Sequence, residues 1–395
     1  MKRNVPKLRF KEFDDEWKNK KVGDLYNDLK AGSTPSKLNS NYFKGDIPWI
    51  TSGELKSKYI YSTLEYITEE AKNSANLKLY DEGTLFIAIT GLEAPGTRGS
   101  CAINKIKATT NQSCLAFQKS HLVNNEFIYY WYNLYGEYIG ITFTQGTKQQ
   151  SLNNKLVSNL KISIPSLQEQ EKIANFLTKV DSLIEEQDGK VKDLELYKKG
   201  MMQKIFSQEI RFKDDNGCEY PEWEEKKLTK IIYNKSKGNI PNYCDYKANI
   251  LLSNEYLENK TKEKVYVTNE NNVSKNDILI LWDGSQSGKV YTGVEGVLGS
   301  TFVAIKLNKP NNNYFVYQYL NYKKPVIQDV WREGSGVPHV AKDFIDNFKI
   351  NIPCLEEQTK IANFLSNIDS IIEEENNKLE DLRQWKKGLL QWMFV

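Results

Sequence analysis

Residues 165–206 read PSLQEQEKIANFLTKVDSLIEEQDGKVKDLELYKKGMMQKIF, and residues 353–394 read PCLEEQTKIANFLSNIDSIIEEENNKLEDLRQWKKGLLQWMF. The two runs align without a gap at an offset of 188 and match at 23 of 42 positions. Apolar residues recur at Ile173, Leu177, Val180, Ile184, Val191 and Leu194, and again at Ile361, Leu365, Ile368, Ile372, Leu379 and Leu382. Alternating steps of four and three are the coiled-coil period. Roughly 40 residues at about 1.5 Å each predict a rod near 60 Å long. An isolated rod would leave its apolar stripe wet, so the two copies are expected to pack on each other, antiparallel. Gln187 and Glu375 fall on the stripe, where they fix register or mark a bend, and Gly189 favours the bend.

The helix starts carry local signals. Pro165 and Pro353 close a preceding strand, and Ser166 with Glu169 forms a capping box. Cys354 replaces the serine in the second copy, which weakens that box although Glu357 remains. Both copies end in Lys-Lys-Gly and an apolar last turn. In the second this end holds Trp385, Leu389, Leu390, Trp392, Met393, Phe394 and Val395. An end so apolar is expected to be buried, against the first domain or another subunit.

The segments before the helices match in kind more than in letters. Trp17 and Trp223 mark equivalent entries, 148 and 130 residues before the helix-opening prolines. Each segment has strand-like runs (Thr84–Thr90, Asp277–Trp282) and one helical stretch (near Glu126–Tyr138 and Tyr314–Asp329). Each closes on a strand, Leu160–Ile164 or Phe348–Ile352. The expected fold class is mixed α/β, two similar domains separated and joined by the paired helices. The divisions are 1–164, a helix at 165–208, 209–352 and a helix at 353–395.

Bulk properties bound the function. Across 395 residues, hydrophobic residues make up 39% and charged residues 27%, as in a globular protein. The start has no apolar stretch of the signal-peptide kind, and no run is long enough to span a bilayer. Five scattered cysteines fit neither a disulfide framework nor a zinc site; reduced thiols and a cytoplasmic location are the expectation. Net charge is +6 over 1–164, +1 over 209–352 and −4 over the repeated runs. The bias toward a polyanion is weak and favours the first domain.

Catalytic signals are scarce. His121 and His339 are the only histidines and lie in different segments. Gly284 to Val290 looks superficially like a phosphate loop, but it is one residue short and lacks the Ser or Thr after its lysine. A chain that is itself an enzyme is not expected. Glycine-shaped loops hold more chemistry. The first domain offers Arg98, then Gln145, Thr147, Lys148, Gln149 and Gln150. The second offers Gln286, Lys289, Arg332, Ser335 and His339. Amides, guanidinium groups and lysines on such loops read base edges and grip phosphates, although polar glycine-rich loops are also ordinary surface turns. Two unlike heads held at a fixed spacing would read two short sequences at a fixed separation.

The chain resembles the specificity subunits of type I restriction–modification enzymes. The resemblance rests on the twofold alternation of variable segment and repeated helix, and on the helix opening at Ile164–Ala174 and Ile352–Ala362. It rests also on Gly32-Ser-Thr-Pro35 followed by Tyr42-Phe-Lys-Gly-Asp-Ile-Pro-Trp49-Ile-Thr-Ser-Gly53. The second domain departs from that opening: Lys237-Gly-Asn-Ile-Pro241 is a poor echo, and Leu251-Leu-Ser-Asn-Glu255 stands in for Ile50-Thr-Ser-Gly-Glu54. The resemblance implies two target recognition domains for a bipartite, asymmetric site in double-stranded DNA. It implies docking of two methyltransferase subunits and of restriction subunits. Cofactors would sit on those partners, S-adenosylmethionine on the first and ATP with magnesium on the second, with none on this chain. Ala174-Asn175-Phe176 recurs as Ala362-Asn363-Phe364, and the helix faces are expected to dock subunits through Ile173, Phe176, Ile361, Phe364, Trp385 and Trp392. Two readings stay beside this one. A coiled-coil scaffold with two protein-binding adaptor domains shares the rod but predicts no salt-dependent DNA affinity. A specificity protein serving a different nuclease shares every feature.

Overall fold

The computed structural model describes residues 4–94, 96–144, 150–259, 261, 263–270 and 272–395. Both repeats are helical throughout, at Leu167–Phe206 and Leu355–Met393, and the first continues through Gly189 without interruption. The chain divides into two compact units, residues 1–187 with 378–395, and residues 188–377. Each long helix therefore gives one half to each unit.

In the first unit a five-stranded sheet runs in the order Leu29–Ala31, Cys114–Phe117, Leu85–Ala88, Cys101–Asn104, Tyr59–Ile60. All neighbours are antiparallel except the last pair. Leu85–Ala88 and Cys101–Asn104 are buried at every position, which explains their nearly continuous apolar runs. A smaller sheet centres on Ile47–Ile50, antiparallel to Tyr66–Ile67 and parallel to Thr109–Thr110. The second unit repeats this plan. Its main sheet is Ile232–Lys237, Phe302–Leu307, Ile278–Leu281, Val290–Tyr291, all antiparallel. Its smaller sheet centres on Asn249–Leu252, again with one antiparallel and one parallel neighbour. The entry and exit strands pair in both units, Lys18–Lys21 with Lys161–Ile164 and Glu224–Lys227 with Lys349–Ile352.

The offset of 188 extends from the sequence into the contacts. In the first unit Ile173, Ala174, Leu177 and Val180 share the core with Leu389, Met393 and Phe394. In the second, Ile361, Ala362, Leu365 and Ile368 share it with Ile205 and Phe206. Phe394 packs on Trp17 and Phe127; Phe206 packs on Phe315, Tyr319 and Tyr322. Leu389, Met393 and Phe394 of the second helix's end thus close the first domain, whereas Trp385, Trp392 and Val395 of the same end stay exposed. Lys386 binds Asp181 at 2.5 Å, and Lys198 binds Asp369 at 2.6 Å. Within the second unit the ion pairs Lys190–Glu375 and Lys198–Asp369 fix the helices as antiparallel. Glu375 is 6% exposed and sits on the seam with its charge matched by Lys190.

The helix starts differ from the expected capping box. The Glu169 backbone N–H does reach Ser166 Oγ, at 3.3 Å. Its carboxylate instead accepts from Arg9 Nε at 2.7 Å, Arg9 Nη2 at 2.8 Å and Trp17 Nε1 at 3.3 Å. Glu357 does the same with Arg211 and Trp223. The acid at this position ties the entry segment to the helix, so Cys354 in place of a serine leaves that role intact.

Candidate nucleic-acid interface

Antiparallel order gathers the loops that the sequence singled out. In the first unit the C-terminal ends of Leu29–Ala31 and Leu85–Ala88 lie beside the N-terminal ends of Cys114–Phe117 and Cys101–Asn104. Three connections therefore emerge at one end of the sheet, and the segment at Gln150 joins them. Hydrogen bonds tie them together: Gly32 N–H to Asn111 O, Ile89 N–H to Ser113 O, Ala88 N–H to Ser100 O, and Leu92 N–H to Gln150 O. A Cβ on Gly32 would lie 1.8 Å from the Thr110 carbonyl oxygen, so only glycine fits. In the second unit a Cβ on Gly238 would lie 2.0 Å from the Gly299 carbonyl oxygen. Gly238 thus stands where Gly32 stands, and the poor echo in letters is a close echo in backbone.

The second domain gathers its loops the same way. Trp282 N–H donates to Thr301 O at 2.7 Å, as Ile89 does to Ser113, which places Asp283 opposite Thr90. Gly284 N–H donates to Pro338 O, and Asp283 bridges to His339, bringing the 332–340 turn alongside. A cleft of about 370 Å³ opens among these loops, lined by Tyr243, Ser253, Asn254, Glu255, Asp283 and Gln286, among others.

The individual residues divide. Gln145, Thr147, Lys148 and Gln149 lie outside the described residues. Arg98 is held by Glu137 at 3.3 Å and by Gln150 Oε1 at 3.0 Å, within the loop cluster. The Glu93 carboxyl is held below its usual range by its own backbone N–H and that of Gln150. Gln286 lies in the cleft, its Oε1 buried and without a hydrogen-bond partner. Arg332 reaches back to the Ser285 carbonyl at 3.4 Å, and Ser335 is exposed at the neighbouring turn. His339 approaches the Val337 carbonyl and Glu333. Lys289 is in an ion pair with Glu258, a carboxylate that also accepts from Tyr291. Its charge is already matched inside the domain. The phosphate-loop look of Gly284–Val290 dissolves for the same reason. Among the described residues no group of His, Cys, Asp and Glu is placed to hold a metal.

The helix-face residues also divide. Ile173 and Ile361 are 2% and 0% exposed. They are core residues, because the stripe that pairs the helices also faces each domain, and they offer nothing to a partner subunit. Phe176 packs edge-on against Phe10 and Trp385, and Phe364 against Phe212. Trp385 and Trp392 remain 46% and 55% exposed. No described helix is long and apolar enough to cross a membrane.

Residues 14–196 and 220–384 match the model of the type I restriction modification DNA specificity domain. The chain is 36% identical over 202 residues to the type I restriction enzyme MjaVIII specificity subunit of Methanocaldococcus jannaschii, covering 48% of this chain and 46% of that one. It is 29% identical over 196 residues to the EcoR124I/EcoR124II specificity subunit of Escherichia coli, covering 49% and 47%. The chain thus spans about half the length of these curated relatives. Among solved structures, the type I restriction–modification S subunit from M. genitalium superposes with a TM-score of 0.62 over 99% of both chains at 16% identity. With its repeated plan of sheet, loop cluster and long helix, and a family match over both halves, the chain belongs to the type I restriction–modification DNA specificity family.

Proposed function

We propose that this chain is the sequence-reading subunit of a type I restriction–modification complex, binding a bipartite, asymmetric target in double-stranded DNA. One observation carries the reading. The two domains share a backbone down to the glycine that each sheet end requires, yet differ in nearly every side chain that the loops present there. A common frame with unlike contact residues suits two half-sites of different sequence.

In this reading the chain supplies recognition and no chemistry. Two methyltransferase subunits dock on it and provide S-adenosylmethionine; restriction subunits join them and provide ATP and magnesium. The exposed faces of Trp385 and Trp392 are the aromatic surface for that docking, since exposed tryptophans are characteristic interface anchors. Arg98, Gln150, Gln286, Arg332, Ser335 and His339 belong to the DNA-facing loops, with Gln145, Thr147, Lys148 and Gln149 alongside them in sequence. The work takes place where DNA is, in the cytoplasm of a prokaryotic cell.

Selection of bound duplexes from a randomised pool tests the reading. The intact chain should enrich two short sequence blocks separated by a fixed gap, with affinity that falls steeply as salt rises. Salt-insensitive retention of every duplex, with no enriched block, would contradict it and favour a protein adaptor.

A further inference from the structure

We propose that Glu255 reads a cytosine in the half-site bound by the second domain, accepting a hydrogen bond from its exocyclic amine. The inference deepens the DNA-reading function proposed above and rests on it.

The backbone sets the register. Asn111 N–H donates to Ile50 O, and Gly299 N–H donates to Leu252 O, so the next residues, Thr51 and Ser253, are equivalent. Both are the caps of the short helical turns that follow. Glu255 therefore stands opposite Gly53, and Tyr256 opposite Glu54, one position away from what the letters suggest. The distinction matters because Glu54 is fully engaged. It accepts from Thr51 N at 2.6 Å, from Thr51 Oγ1 at 3.0 Å and from Leu64 N at 2.8 Å. In the second domain Ser253 Oγ caps the turn by accepting from Tyr256 N, and Glu255 takes no part. Glu255 is an added carboxylate at a position where the first domain has no side chain. It is exposed and, among the described residues, has neither a hydrogen bond nor an ion pair.

Its setting points to a ligand that donates. Asp283, across the same cleft, is neutralised by Lys237 at 3.1 Å. The Gln286 oxygen in that cleft is buried and unpartnered. The Glu255 carboxylate and the Gln286 oxygen are thus two open acceptors facing one cleft. On a face that meets a polyanion, an unpaired carboxylate is repelled by phosphates unless it finds a specific donor. In the major groove the cytosine amine is the usual donor for Glu and Asp.

The test uses duplexes selected from a randomised pool by the intact chain and by Glu255→Gln and Glu255→Ala. The wild type should fix a G·C pair at one position of the second block. Both variants should lose about fivefold to a hundredfold of discrimination at that position alone. The first block should be unchanged, and affinity for random duplex should rise as a negative charge is removed. An unaltered second block in both variants overturns the proposal. So does loss confined to an A·T position. Loss of methyltransferase retention with the DNA motif intact overturns it too, and marks Glu255 as a protein contact. Glu255 is exposed, so an unchanged melting temperature in each variant excludes misfolding. Failure of the wild type to enrich any block would sink the DNA-reading function itself, a result distinct from all of these.

Discussion

Glu169 and Glu357 are 1% and 0% exposed, and each is matched by one arginine of an entry segment about 150 residues distant in sequence. Removing the arginine strands a buried carboxylate, at a cost of about 3 kcal/mol. Arg9→Met and Arg211→Met should each lower the urea midpoint accordingly, whereas the exposed pair Lys349–Glu225 should matter little. The residue pattern at the helix start was legible, but its purpose was not. Ser-x-x-Glu reads locally as a cap, and nothing local reveals a partner so far off. Lys58 shows the same limit. Its ammonium lies in the first domain against Tyr130 OH at 2.9 Å and Thr178 Oγ1 at 2.5 Å, with Glu126 at 3.8 Å. Burial pulls its pKa below the usual 10.5, and Glu126 and Asp181 only partly restore it. A lysine with a lowered folded pKa destabilises fully below that value, and the penalty is relieved as pH rises from it toward 10.5. Wild type should therefore gain stability relative to Lys58→Met over that alkaline window, as followed by urea midpoints against pH.

At the level of elements, the long helices were the most legible part of the chain. A sustained 3.5-residue apolar period admits few other structures. Their division between two units was not legible, because the same stripe residues serve both helix pairing and domain packing. Phe206 and Phe394, at equivalent ends, show the consequence, each being about 5% exposed or less in the core of a domain. Phe394→Ala and Phe206→Ala should each cost about 3–4 kcal/mol, seen by chemical denaturation. The loops were legible in place but not in register. Glycines at 32 and 238 are obligatory for the same backbone approach, yet the residues after them share so little that only hydrogen bonds align them. The slip of one residue at Glu255 followed from that, since Glu54 and Glu255 look equivalent only as letters.

For the whole molecule, the duplication announced two domains on one plan, and the sheet orders bear this out in strand sequence and direction. The proposed function was legible through the family resemblance more than through any site, because polar glycine-shaped loops carry no fixed catalytic pattern. If each domain reads one half-site, replacing residues 209–352 by the corresponding segment of a relative should change one block of the motif and spare the other. Sequencing of DNA selected by the chimera checks this. The most direct measurement is a genome-wide map of methylated adenines in cells expressing the cognate methyltransferase, with and without this chain. A two-part motif with a fixed gap, methylated only when the chain is present, is the predicted result. Methylation indifferent to the chain, from a methyltransferase shown to be active, would contradict a role in sequence recognition.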